Sequence, residues 1–213
     1  MRGLESKIDS SKPIRGCAMG KLYPSLNVYC SKVEEVWFCA AADEGDRILA
    51  SAFSLEGQRR ALRQTLEEFE GWNIHLEEQP SKEIGSALLA LNRIWQGEVV
   101  DSQPRLAMER FTPFNRRVLE LVKSIPRGSV STYRMVAAAA GCPGAARAVG
   151  NAMAANPFML LVPCHRVVKT DLTIGGYGSG VNVKERLLRR EGVIFRQRPS
   201  GRLRVEARCV YRF

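Results

Sequence analysis

No apolar run in the 213 residues approaches the roughly 18 that a membrane-spanning helix needs, so a membrane partner is not expected. The opening Met1-Arg2-Gly3-Leu4-Glu5 lacks the apolar core of a signal peptide, and a cytoplasmic protein is expected. Histidine is scarce: only His75 and His165. The six cysteines, Cys17, Cys30, Cys39, Cys142, Cys164 and Cys209, include no C-x-x-C pair and no regular framework. That argues against structural zinc and against a secreted disulfide scaffold. The set Cys17, Cys30, Cys39 and His75 has poor spacing for a metal, so no metal is expected and most of the cysteines read as small buried hydrophobes. The glycines from Gly175 to Gly180 lack the spacing of a dinucleotide or phosphate-loop fingerprint. They read instead as a loop whose backbone approaches a flat ligand.

Charge is abundant but unevenly placed. Residues 1–107 hold 13 basic and 16 acidic side chains, whereas 108–213 hold 19 and 6. A C-terminal half with that excess suits a polyanionic partner, and 24 of the 32 basic residues are arginine, which suits phosphate. A basic surface serving only solubility explains the charge equally well. Three parts are expected: a loose polar arm over 1–20, an α/β domain over 21–107, and a mostly helical domain over 108–213 with a strand at its end.

In the first half, strands are predicted over Leu26–Lys32, Val36–Ala42 and Arg47–Ser54, and a short one over Asn73–Glu77. Helical spacing predicts helices over Glu56–Phe69 and Lys82–Trp95. Nothing there resembles a catalytic site. After a linker, Thr112-Pro113 caps and opens a helix. Ser131 or Thr132 caps another that Gly141 stops, and Cys142-Pro143-Gly144 turns into a further helix over Ala145–Ala155, ended before Asn156-Pro157. Helix, short turn, helix is the helix-turn-helix pattern, although many plain helix pairs share it. The second helix is thin: Ala146, Ala148, Gly150 and Ala152 leave Arg147 as its only charge. Asn182-Val183-Lys184-Glu185 reads as a capping box opening a last helix. Strict alternation from Leu203 to Phe213 predicts one strand, pairing with Val193–Arg198 across Pro199-Ser200-Gly201.

The most informative stretch is Leu160-Leu161-Val162-Pro163-Cys164-His165-Arg166-Val167-Val168. A thiol becomes a nucleophile as the thiolate, and a neighbouring imidazole is the usual helper. Pro163 presents Cys164 from a stiff, non-helical segment.

These motifs stand in a specific order. Tyr133 lies in Ser-Thr-Tyr, and Arg147 in Ala-Arg-Ala-Val-Gly-Asn-Ala-Met. Asn156-Pro157 precedes Val-Pro-Cys-His-Arg-Val, and Gly176-Tyr177-Gly178 leads to Lys184-Glu185, Leu187-Leu188 and Glu191-Gly192. Over Phe111–Gly192 the chain closely resembles the O6-alkylguanine-DNA alkyltransferases, also called methylated-DNA–protein-cysteine methyltransferases. The resemblance implies an α/β N-terminal domain followed by a helical, winged-helix-like domain with a helix-turn-helix. It implies a single-turnover enzyme that moves an alkyl group from guanine O6 to Cys164, with no cofactor because the DNA carries the methyl group. Glu191 would hold His165 in the useful tautomer, and His165 would take the thiol proton through a water. Tyr133 would assist at guanine N3, Gly178 would donate its amide to O6, and the carbonyls of Cys164 and Val167 would read the exocyclic amine. Met153 and Tyr177 would wall the pocket, with Lys184 near the loop. Ser179, where many members carry glycine, would narrow the pocket against bulky adducts such as benzyl. The partner implied is double-stranded DNA bound as a monomer through the minor groove, by a thin helix bearing Ala146 and Gly150. Arg147 would fill the space of the flipped base and Asn156 would act as a hinge. The location implied is the nucleoid, or the nucleus in a eukaryote.

The alternative is a lesion-binding protein without transfer activity; such relatives lack the cysteine, and Cys164 argues against it. A Cys-His hydrolase fits poorly, because adjacent Cys and His rarely reach the needed geometry.

Overall fold

The computed structural model describes residues 24–100, 104–197 and 203–213. The arm over 1–20, Cys17 and the turn at Pro199-Ser200-Gly201 lie outside them.

The first half is a small mixed sheet. Strands β1 (Ser25–Val33), β2 (Val36–Ala42), β3 (Ile48–Ser54) and β4 (Asn73–Leu76) lie in the order β3-β2-β1-β4, with β4 parallel to β1 and the other pairs antiparallel. Helix α1 (Gln58–Leu66) covers one face through Leu62 and Leu66 against Ala41, Leu49 and Ala50. Helix α2 (Lys82–Trp95) covers the other through Ile84, Leu88 and Leu91 against Phe38, Ala40 and Ala42. Burial from both sides explains why β2 reads Val-Trp-Phe-Cys-Ala-Ala-Ala, almost without polar residues. Ser81 caps α2, its hydroxyl accepting from the Ile84 amide at 3.2 Å.

The predicted helix over 56–69 shortens to α1 because Gly57, at φ 115°, turns the chain just before it. The cysteine reading also changes. The turn at Glu34-Glu35 sets the β1–β2 register so that Cys30 faces Cys39, and the two form a disulfide rather than two separate buried thiols.

The α2 face of the sheet is continuous with the core of the second half, where Val118, Val122, Val136, Val149, Phe158, Leu161 and Leu187 join the same cluster. Helices α3 (Pro113–Lys123), α4 (Tyr133–Ala139), α5 (Ala146–Ala154) and α6 (Val181–Arg190) surround it. Thr112 caps α3 and Thr132 caps α4, each hydroxyl accepting an amide hydrogen three residues on. Two short strands, β5 (Ser131–Thr132) and β6 (Val167–Val168), pair in parallel. Among the described residues no helix is long and apolar enough to cross a membrane.

Two further expectations are corrected here. Helix α6 starts at Val181, and Gly180, at φ 100°, replaces the expected capping box. The positive φ lets the Gly180 carbonyl accept the Lys184 amide without help from the Asn182 side chain. The tail is not one strand. β8 (Leu203–Val205) pairs with β7 (Phe195–Gln197), and then Ala207–Cys209 forms a 3-10 turn. Beyond Val205 the β7 partner has run out, and the chain bends so that Cys209 and Tyr211 exchange backbone bonds with Val130 at 2.8 and 2.7 Å.

The C-termini of α2 and α6 are tied together. Arg127 donates to the carbonyls of Gly97 and Arg190, and Arg190 donates to that of Trp95 at 2.8 Å. The Arg186 and Arg190 guanidinium groups lie 5.0 and 4.9 Å from the centre of the Trp95 ring. Gly97 sits at φ 79°, and a Cβ there would lie 2.4 Å from the Arg190 carbonyl oxygen. Gly97→Ala is therefore expected to lower stability by about 2 kcal/mol or more, the cost of an alanine at positive φ plus a backbone clash. Urea titration checks this: the midpoint falls at unchanged slope.

Candidate active site

The site forms where β5 and β6 run side by side. Tyr133 is the first residue after β5, and the 3-10 turn Cys164–Arg166 immediately precedes β6. The parallel pairing of Ser131 with Val167 thus brings two segments more than thirty residues apart into one place.

The loop before Cys164 is braced from both halves. Asn156 accepts the Phe158 amide on Oδ1 at 3.1 Å and donates through Nδ2 to the Val162 carbonyl at 3.1 Å. Ser51 of β3 donates its amide to the Pro157 carbonyl and its hydroxyl to the Met159 carbonyl, at 2.8 and 3.0 Å. Leu160, fully buried, holds φ 68°, a conformation costing a β-carbon-bearing residue roughly 1–2 kcal/mol. Packing and these hydrogen bonds impose it.

Next in sequence to Cys164 stands a buried ionic group. His165 and Glu191 are 0% and 1% exposed, with Nε2 and Oε1 2.8 Å apart. Arg166 grips the same carboxylate with two bonds, Nε to Oε2 at 2.9 Å and Nη2 to Oε1 at 2.8 Å, and donates Nη1 to the Ile125 carbonyl at 2.6 Å. Burial alone would raise the Glu191 carboxyl; His165 and Arg166 outweigh it and hold it at about 2. An ionised Glu191 can only accept, so Nε2 of His165 carries the proton and Nδ1 is left as the basic nitrogen. Nδ1 is buried with no hydrogen-bond partner among the described residues. Burial also lowers the pKa of His165, against the pull of Glu191, so the imidazole rests neutral.

Cys164 is half-buried, and burial raises its pKa; a hydrogen bond from Asn156 and the charge of Lys184 oppose the rise without overcoming it. The resting group is a thiol that needs a base. Lys184 is fully buried, donating Nζ to the carbonyls of Val167 at 2.6 Å and Gly176 at 3.4 Å, and burial brings it down to about 8.

In front of Cys164 lies a cavity of about 370 Å³. Tyr133, Gly150, Met153, Asn156, Tyr177 and Gly178 line it together with Cys164, within the size range of small-molecule sites. Burial, followed by proximity to Cys164, raises the Tyr133 pKa, so its phenol is a hydrogen-bond donor. The Tyr177 phenol is pushed well up by burial, and its oxygen has no partner among the described residues. A Cβ on Gly150, Gly176 or Gly178 would meet nothing within 4 Å. Internal packing does not demand glycine there, and the open faces line the cavity.

Three expected pocket residues do not line the cavity. Val167 is buried in β6, and its carbonyl already accepts from Lys184. Lys184 is fully buried outside the lining, held by the Val167 and Gly176 carbonyls. Ser179 is not among the lining residues; its hydroxyl donates at 3.5 Å to the sulfur of Met159, which is. Sequence reasoning missed Met159, Ala154 and Gly176 as lining residues, and Arg166 as the partner of Glu191. An arginine directly after Cys-His was the available signal for the last. Arg147 is exposed one turn before Gly150 on α5, and Ala146 is half-buried beside it.

Fold and site define a class: a protein with a cavity-lining thiol next in sequence to a buried imidazole held by a carboxylate. Residues 113–193 match the family model for the 6-O-methylguanine DNA methyltransferase DNA-binding domain. A methylated-DNA–protein-cysteine methyltransferase of Methanothermobacter thermautotrophicus is 54% identical over 82 residues, 38% of this chain and 46% of that protein. The chain thus spans about half the length of several relatives it matches. The Mycobacterium tuberculosis protein of the same name is 37% identical over 147 residues, 69% of this chain and 86% of that one. A crystal structure of Mycobacterium tuberculosis OGT in complex with DNA superposes with a TM-score of 0.61 at 30% identity, covering 78% of this chain and 92% of that one. The chain belongs to the methylated-DNA–protein-cysteine methyltransferase family.

Proposed function

We propose that this protein repairs O6-alkylguanine in double-stranded DNA by moving the alkyl group irreversibly onto Cys164. The observation that carries this reading is the buried His165–Glu191 pair next in sequence to a cavity-lining thiol, with Nδ1 left as the base. In the reaction the Cys164 proton passes through a water to Nδ1. The sulfur then bonds the alkyl carbon as the carbon–O6 bond breaks, and that electron pair goes to the purine. Tyr133 meets the charge appearing on the base with its O–H at N3, the Gly178 amide meets O6, and the Cys164 carbonyl meets the exocyclic amine. The thioether has no route back, so each molecule acts once, and no cofactor enters because the DNA supplies the alkyl group.

The target atom is out of reach in a stacked duplex, so the nucleotide must swing out into the cavity. In this reading α4 and α5 act as a helix-turn-helix of a winged-helix-like domain, and the thin α5 enters the minor groove as a monomer. Its Ala146 and Gly150 allow close approach, Arg147 fills the vacated stack, and Asn156 joins α5 to the active loop. Met153 and Tyr177 flank the base. Lys184 supports the thiolate through its charge, and Ser179 supports the wall. Residues 21–107 brace the loop through β3, and 108–213 carry the chemistry at the cell's DNA. The test is incubation with a duplex containing O6-methylguanine, followed by intact-mass measurement and peptide mapping. We expect a methyl-sized gain on the Cys164 peptide. Tight binding without that gain would overturn transfer in favour of a lesion-binding protein.

A further inference from the structure

Residues 194–213 lie beyond the family-matched segment and carry six arginines against one glutamate. The structure sorts those it describes into two kinds. Arg196 and Arg208 are both taken up by Glu206, at 2.7 and 2.8 Å. The side chains of Arg204 and Arg212 make no hydrogen bond or ion pair among the described residues, and Arg204 Nε is buried without a partner. Both line a groove of about 360 Å³ together with Arg134 of α4, which is likewise unpaired. Thr132 and Thr170 add hydroxyls, and no carboxylate lines the groove. Asp171, next in sequence to the lining residues Thr170 and Leu172, acts on Arg204 through its charge but spends an oxygen on the amide and hydroxyl of Thr173.

Three cations lining one groove outnumber the carboxylate that acts on them, and an anion seated among them relieves their repulsion. The position of the groove says which anion. Tyr133 lines the thiol cavity while its neighbours Thr132 and Arg134 line the groove, so the start of α4 is a wall of both. A nucleotide entering the cavity carries its own phosphates past that wall.

We propose that the C-terminal extension gives this protein a second strip for binding the DNA backbone, in which Arg204 and Arg212 join Arg134 in gripping phosphates beside the flipped nucleotide. The proposal rests on the reading of the protein as one that acts on duplex DNA. Unlike Arg147, these side chains would touch phosphate only, and would raise affinity for every sequence alike.

The test is fluorescence anisotropy with an undamaged labelled duplex, across a series of salt concentrations, for the parent, Arg204→Gln/Arg212→Gln and Arg204→Lys/Arg212→Lys. Removing one cation that neutralises a phosphate makes the slope of log K against log salt shallower by about 0.9. The Gln pair is expected to reduce the slope by about 2, and the Lys pair to leave it near the parent's. The exposed Arg212→Gln alone is expected to reduce it by about 1, so the test survives if changes at Arg204 disturb folding. A parent that binds with a steep slope and variants that match it would overturn the proposal. A parent that does not bind duplex at all would instead overturn the reading beneath it. No alkyl transfer is needed for the measurement, so binding with the expected slopes but no methyl uptake would sink repair and leave the phosphate strip standing.

Discussion

A Cys164→Ala protein will take up no methyl group, yet will bind the lesion-bearing duplex about as well as the parent. The prediction is sharp because the other thiols serve as controls. Cys142 is exposed in the turn between α4 and α5, and Cys209 is buried in the tail. Neither lines the cavity. Cys30 and Cys39 are bonded to one another. Among the described cysteines, only Cys164 lines the cavity, and it stands next in sequence to the buried His165–Glu191 pair. Truncation removes one sulfur from the cavity wall and leaves Tyr133, Gly178 and α5 untouched, so binding and base flipping persist while transfer is lost completely. Intact-mass spectra and a gel-shift titration on one preparation check both halves. Methyl uptake by the variant at any appreciable rate would mean that another residue is the acceptor.

Glu191→Gln is expected to keep the fold and slow transfer by about 10²-fold or more, the scale of a general base losing its function. An amide oxygen in place of Oε1 can still accept from His165 Nε2 and Arg166 Nη2, but the amide carries no charge and its NH2 faces the Arg166 Nε hydrogen in place of Oε2. The imidazolium formed when Nδ1 takes the thiol proton then loses its counter-ion, in a site where burial already disfavours it. The variant's rate should climb with pH, toward the range where the thiol ionises unaided. A residue holding the fold alone would not move that profile. Glu191→Ala is a harsher change: it strands Arg166, only 11% exposed, without its anion and should cost about 3–5 kcal/mol. In the parent, Glu191 sits at about 2, below the ordinary carboxylate value. Its contribution is present in full above the unfolded pKa near 4.3 and is lost as pH falls toward 2. The contribution is on the order of 3 kcal/mol, and the Gln variant should lack that part of the parent's acid sensitivity. Thermal melts at several acid pH values measure the difference.

Much of this architecture is written in local pattern. The continuous apolar run of β2 and the helical spacing of α2 carry their own boundaries, Val36–Ala42 and Lys82–Trp95. Thr112-Pro113 and Thr132 announce helix starts through capping chemistry that acts over three residues. The Cys30–Cys39 bond was within reach of the same kind of reading, since the turn at Glu34-Glu35 dictates which residues face each other. The tail was not. Its alternation persists through Tyr211, but a strand lasts only as long as its partner, and the end of β7 is invisible from within residues 203–213.

The order of residues along the chain supplies the chemical groups: one Cys-His-Arg turn, a tyrosine at a helix start, a glutamate at a helix end, and an arginine-rich second half. Which of them touch is set by folding. The bond from Lys184 to Val167 spans 17 residues, that from Arg166 to Glu191 spans 25, and that from Ser51 to Met159 spans 108. Those pairings place charges a few ångströms apart in a buried, weakly screened interior, where distance and burial set protonation. The carboxylate is therefore ionised, the imidazole neutral and the thiol protonated for a reason that no reading along the chain contains.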